Sequence, residues 1–171
     1  MINGEFIYLR PIIRNDLKHL NDWKNDEETY KFLGGGFMPI SIDQQANWLD
    51  NMMDLTGNNK RYIICTKSKD EPIGMIGLYG INWIHRTAEV GLYIGNKNEH
   101  RKGYSKEAYM LLEKYLKDYL NLRKINLNVV DTNVKAKLMW ENYGFQVCGK
   151  LTEERFIEGK YYDLLIMEKF I

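Results

Sequence analysis

The sequence predicts an α/β fold whose strands run mostly antiparallel, and the order of its segments carries that prediction. A strand comes first, then two helices, then several strands joined by tight turns, and last helix, strand, helix and strands. A second observation is the central stretch Ala88 to Glu107 (AEVGLYIGNKNEHRKGYSKE), where a strand runs into a basic loop and the loop into a helix. A third is size. With 171 residues, 44% of them hydrophobic, the chain makes one domain. A domain of that length hides roughly 70% of its extended surface.

Taken in order, Glu5 to Arg10 reads as a strand that Pro11 ends. Asn15 or Asp16 caps a helix with Leu17, Leu20 and Trp23 on its apolar face. In DWKNDEETYKFLGGG the acids Asp22, Asp26, Glu27 and Glu28 cluster before Gly34, Gly35 and Gly36 break regular structure. Ser41 caps a second helix, with Gln44 in the capping-box position and Ala46, Trp48, Leu49, Met52 and Met53 along it. After the turn Thr56–Asn59, Arg61 to Lys67 forms an apolar strand. Lys69-Asp70-Glu71 turns it into PIGMIGLYGINWI, which has apolar residues on both faces.

Arg86 opens the central strand, with Ala88, Val90, Leu92 and Ile94 on one face and Glu89, Gly91 and Tyr93 on the other. From about Ser105 the period becomes helical, through Ala108, Leu111, Leu112, Tyr115 and Tyr119. Lys124 to Val130 is a strand, and Asn133 begins a helix that Gly144 stops. FQVCGKL and YYDLLIMEKFI are strands, the second reached through the turn pair Glu158-Gly159.

Composition excludes several function classes. With 24 basic and 23 acidic residues the net charge is +1, so neither nucleic acid nor a membrane surface is the expected partner. Cys65 and Cys148 stand far apart in apolar strand contexts and read as buried free thiols of a reducing compartment. No apolar run reaches the roughly 18 residues of a membrane span, and no signal peptide opens the chain, so a cytoplasmic location is expected. His19, His85 and His100 have no ligand spacing, so no metal is expected. A homo-oligomer is left open.

The junction of central strand, loop and helix has its own chemistry. It aims free backbone N–H groups and the positive end of a helix dipole at one point beside Arg101 and Lys102, as a pyrophosphate requires. The loop has neither the P-loop pattern nor the glycines of a dinucleotide fingerprint, and an ordinary helix start would look much the same.

Four stretches taken together carry a resemblance: YLRPIIRNDL, PIGMIGLYGINWIHRTAEVGLYI, HRKGYSKEA and NVKAKLMWENYGF. Over nearly its whole length the chain resembles GNAT-fold N-acetyltransferases of the subgroup that acts on ribosomal proteins, spermidine and amino sugars. The resemblance implies a mostly antiparallel sheet, splayed between its middle strands and flanked by helices. It implies acetyl-CoA as donor co-substrate. His100, Arg101, Lys102, Gly103, Tyr104 and Ser105 are then expected around the pyrophosphate. The main chain of Leu92, Tyr93 and Ile94 would bind the pantetheine arm, one N–H serving as oxyanion hole, with Asn133 and Trp140 also at the cofactor.

The chain departs from the family pattern at His100 and Ser105, the two ends of the loop, and at Trp140. There the family often places a tyrosine that protonates the leaving thiolate, and an indole N–H cannot deliver a proton. Tyr143 is the candidate substitute. Glu89, on the face opposite Val90 and Leu92, is the candidate base for an ammonium that must lose a proton before attack; its alternative is a structural ion pair with Arg86 or another basic side chain. In the fold the first two helices usually wall the acceptor site, which here would place Trp23, Asp26, Glu27, Glu28, Tyr30 and Phe32 around a small-molecule amine, with His85 nearby. A polyamine or other small amine is the expected acceptor. The alternatives are a nucleotide-linked amino sugar, a protein N-terminus, and a non-catalytic acetyl-CoA-binding protein.

Overall fold

The computed structural model describes residues 1–171. Its strands form one eight-stranded sheet in the order β1-β2-β3-β4-β5-β6-β8-β7. They are β1 (Ile2–Asn3), β2 (Ile7–Pro11), β3 (Lys60–Thr66), β4 (Pro72–Asn82), β5 (Thr87–Ile94), β6 (Lys124–Val130), β7 (Gln146–Ile157) and β8 (Lys160–Phe170). The helices are α1 (Leu17–Lys24), α2 (Glu27–Tyr30), α3 (Ile42–Met53), α4 (Tyr104–Asp118) and α5 (Val134–Asn142). None is long and apolar enough to cross a membrane.

Both faces of the sheet are covered, and β3 shows why its sequence lacks alternation. Tyr62 and Ile64 join the larger core under α4 and α5, with Ala108, Tyr109, Leu112, Leu116 and Phe145. Ile63 and Cys65 face the other way and pack with Leu20 and Trp23 of α1 and Leu49 of α3. A strand buried on both faces must be apolar throughout. β5 keeps the two faces distinct. Val90 lies in the larger core with Leu92 and Ile94 packed against it, and Tyr93 packs on the α1–α3 side.

Every strand pair is antiparallel except β5–β6, which is parallel and short. It covers only Thr87↔Lys124, Ala88↔Ile125 and Glu89↔Asn126. Beyond Glu89 the strands diverge: β5 stays paired with β4 as far as Ile94, and β6 with β8 as far as Val130. The closed end of this fork is tied by Arg123, whose N–H donates to the Arg86 carbonyl at 2.9 Å and whose Nε donates to that of His85 at 3.0 Å. The splay expected of the sheet is present.

Local chemistry modifies some expectations. Ser41 caps α3, its Oγ accepting the Gln44 N–H at 3.1 Å. Asp16 does not cap α1. Its buried carboxylate accepts the Ile13 N–H and both arms of the Arg10 guanidinium at 2.7 and 2.8 Å, so the charge is satisfied one turn earlier. β7 runs well past FQVCGKL, to Ile157, because a bulge between Leu151 and Arg155 absorbs Thr152–Glu154; Glu153 has φ 50° and its N–H donates to Asp163 Oδ1. Cys65 is buried as expected, but Cys148 is exposed, because β7 is the sheet edge and few of its side chains have anything to pack on.

Candidate active site

The loop between β5 and α4 is built to present N–H groups. Gly103 is the N-cap of α4 with φ 80°, and Arg101 has φ 61°. The first helical bond is Glu107 N–H to Gly103 carbonyl. From Arg101 through Lys106 no backbone N–H has an acceptor within the chain, so all are free for an anion at the positive end of a 15-residue helix. Arg101 stands beside them without an ion-pair partner, whereas Lys102 lies 2.8 Å from the buried carboxylate of Glu99, which also draws Lys69 to 3.6 Å. His100 turns back onto the strand end, its Nε2 lying 2.8 Å from the Ile94 carbonyl. A carbonyl only accepts, so Nε2 carries the proton there.

The fork opens directly from this loop. Between Val90 and Ile94 the main-chain groups of β5 that point away from β4 face no strand, an edge that an extended arm can pair with. Asn133 lies at the far side of the fork after β6, where its Oδ1 caps α5 by accepting the Ala136 N–H at 3.3 Å. Trp140 and Tyr143 belong to one aromatic cluster centred on Tyr109. The Trp140 ring meets Tyr109 edge-on at 5.5 Å, and the Tyr143 ring stacks on it at 5.4 Å. Trp140 is a core residue. Tyr143 reaches farther, its hydroxyl lying 3.2 Å from Ser105 Oγ in the first turn of α4, and burial pushes its pKa up. That hydroxyl keeps its proton at neutral pH.

On the opposite face of β5 lies a cavity of about 620 Å³, well within the size range of small-molecule sites. Glu89, Gly91, Leu92 and Tyr93 of β5 line it, together with Tyr79 of β4, Tyr30 of α2, and Gln45 and Trp48 of α3. Gly91 leaves room for Tyr79, since a Cβ on it would lie 3.1 Å from that ring and press it aside by a few tenths of an ångström. Glu89 stands at the open side. Burial raises its pKa, and the opposing pull of a nearby positive charge comes from Arg155. Arg155 is brought there by the bulge in β7, and its buried Nε has no acceptor. The alternative partner, Arg86, turns away to Asn121 Oδ1 at 3.2 Å.

Several residues expected at the acceptor wall are placed elsewhere. Trp23 is buried under β5, so close to Gly95 that a Cβ there would lie 2.3 Å from its ring. Glu27 is exposed on α2, and Glu28 is exposed and pairs with Lys31 at 3.1 Å. Asp26 caps α2 through Thr29 and pairs with Lys97 at 2.8 Å. Phe32 packs on the β7–β8 hairpin with Ile157 and Leu164. His85 sits in the turn at the closed end of the fork, its N–H donating to Asn82 Oδ1. Of the expected wall only Tyr30 lines the cavity. No local period in the sequence marks Lys24, Gln45, Arg61 or Tyr79 of the cavity, or Arg155 beside Glu89. No group of three or more His, Cys, Asp or Glu side chains is gathered as for a metal.

Comparison with known proteins agrees with this geometry. Residues 7–146 match the family model of the acetyltransferase (GNAT) domain. The chain is 29% identical over 161 residues to a spermidine N(1)-acetyltransferase of Vibrio cholerae serotype O1, spanning 91% of this chain and 88% of that one. It is 27% identical over 167 residues to the spermidine N(1)-acetyltransferase of Escherichia coli K12, spanning 98% and 87%. The crystal structure of the Vibrio cholerae spermidine N-acetyltransferase in complex with CoA and spermine matches with a TM-score of 0.89 at 28% identity, over 98% of this chain and 96% of that one. A nest of free amides, a forked sheet and a matching family model converge, and the chain belongs to the GNAT acetyltransferase family as an N-acetyltransferase.

Proposed function

We propose that the protein transfers the acetyl group of acetyl-CoA directly to a small primary amine, with both substrates bound at once on opposite sides of β5. The observation that carries this reading is the fork, which leaves one edge of β5 open to a thioester from Val90 onward while the strand's other face, beginning at the adjoining Glu89, looks into the cavity. In this reading the amides of Arg101 to Lys106 hold the pyrophosphate and the main chain from Leu92 to Ile94 aligns the pantetheine arm. A free N–H on that edge polarises the thioester carbonyl.

Glu89 takes the ammonium proton, directly or through water, and its raised pKa brings it closer to the working pH than an ordinary carboxylate. Tyr143 is the candidate to protonate the thiolate, since its partly buried hydroxyl keeps its proton at neutral pH and lies on the α4 side of the fork, 3.2 Å from Ser105 Oγ. A thiol with pKa of about 8.5 also leaves with weak assistance. The relatives' named substrates support a polyamine as acceptor. The cavity's own charges support an amine that is not a polycation.

The test is coenzyme A thiol release over a panel of polyamines, amino sugars and N-terminal peptides. Amine-dependent, saturable release supports the reading, and an inert protein that still binds acetyl-CoA reduces it to a binding module. Tyr143→Phe in the same assay identifies the acid if kcat falls about 10²-fold, the size general acid catalysis commonly supplies, with acetyl-CoA affinity intact.

A further inference from the structure

Two cations line the acceptor cavity and neither has a carboxylate partner. Lys24 Nζ lies 4.5 Å above the centre of the Tyr30 ring, and the Arg61 guanidinium 5.2 Å from that of Tyr79. Both are half-buried, and burial alone lowers the pKa of Lys24. Of the acids nearest Lys24 in sequence, Asp22 pairs with Lys18, Asp26 with Lys97 and Glu28 with Lys31, while Glu27 is exposed and makes no ion pair with Lys24. Glu89 is the only carboxylate on the cavity wall, and the positive charge that restrains its pKa is that of Arg155. A partly desolvated cation is costly unless an anion meets it, and a tyrosine face offsets only part of that cost.

One further group on the wall awaits a ligand. Gln45 is 3% exposed, and its Oε1 has no hydrogen-bond donor. Such a buried acceptor suits a hydroxyl or N–H of a bound molecule. The cavity wall therefore carries two cations, Lys24 and Arg61, against the single carboxylate of Glu89.

We infer that the acceptor is an amine that also carries a carboxylate or phosphate, the amine directed to Glu89 and the anion held by Lys24 and Arg61. A polyamine would instead bring its remote ammonium groups against those two cations. The inference rests on the proposed acetyl transfer and names the class of acceptor within it.

Matched pairs isolate the anion. Glucosamine against glucosamine 6-phosphate tests a phosphate, and amino-acid methyl esters against the free amino acids test a carboxylate, with spermidine as the polycation. The anionic member of at least one pair should have the higher kcat/KM by about 10- to 100-fold, the worth of a charge-assisted hydrogen bond, and should exceed spermidine. Arg61→Gln and Lys24→Gln should collapse that ratio mainly through KM, and Arg61→Lys should restore part of it. Thermal melting checks that each variant is folded.

Spermidine or the anion-free members matching or outrunning their anionic partners would overturn the inference. Should no amine release thiol, acetyl transfer itself fails, and calorimetry with glucosamine 6-phosphate and the free amino acids decides the anion site separately. Binding that Arg61→Gln abolishes upholds it, and no binding by the wild type overturns it.

Discussion

Glu89 shows how its surroundings can fit a single side chain for the base role proposed for it. Its neighbours Ala88 and Val90 are core residues, so strand geometry obliges Glu89 to face the opposite side, where the cavity lies. Burial raises its carboxyl pKa above the ordinary 4.5 and Arg155 restrains the rise. As a base it should respond to Glu89→Gln with a fall in kcat/KM of roughly 10²-fold or more at neutral pH. Raising the pH should recover much of this loss, as more of the amine arrives unprotonated. Stability should move the other way. A carboxyl whose pKa is raised by folding binds its proton more tightly in the native state, so stability declines as pH rises from about 4.5 through the folded value. Glu89→Gln should then melt higher than wild type near pH 7, the difference vanishing below the ordinary carboxyl range. A variant that melts lower and keeps the wild-type pH–rate profile would make Glu89 a structural residue.

The loop from Ile94 to Gly103 and the helix it launches form the element proposed to bind the cofactor. Gly103 supplies a left-handed backbone that few side chains adopt, and a Cβ placed there meets nothing within 4 Å. The cost of Gly103→Val is therefore conformational, on the order of 1–2 kcal/mol, and falls on the arrangement of the free amides. The KM for acetyl-CoA should rise about tenfold or more while that for the amine stays put. Unchanged acetyl-CoA affinity by calorimetry would remove the loop from the site. This element was legible in the sequence, since a period-2 strand, a basic loop with a glycine and a period-3.6 helix are all local signals. The fork was expected from the family resemblance rather than from any period, because a missing strand pair leaves no mark on one strand's own sequence. The acceptor cavity was mostly illegible. Its walls come from Lys24, Gln45, Arg61, Tyr79 and Glu89, with Arg155 beyond them, and only tertiary folding sets those residues side by side. Trp23 misled for a related reason: an aromatic on the apolar stripe of α1 is as well suited to pack on Gly95 as to meet a substrate.

At the scale of the whole molecule, the sheet is two leaves. β1 to β5 make one and β6, β8 and β7 the other, and within the sheet they are joined by the register pairs from Thr87↔Lys124 to Glu89↔Asn126 and by the two Arg123 hydrogen bonds at the same end. A strand-shaped guest laid into the gap would supply the pairing that β5 and β6 lack there and act as a clasp between the leaves. The amides of β5 between Val90 and Ile94 that point toward the gap should exchange with solvent rapidly in the free protein and slowly once coenzyme A is bound, while those joining β3 to β4 stay protected throughout. Equal protection with and without coenzyme A would mean that the guest does not lie along β5. Slowing confined to residues 101–106 would mean that it is gripped by its phosphates alone, leaving the leaves unfastened.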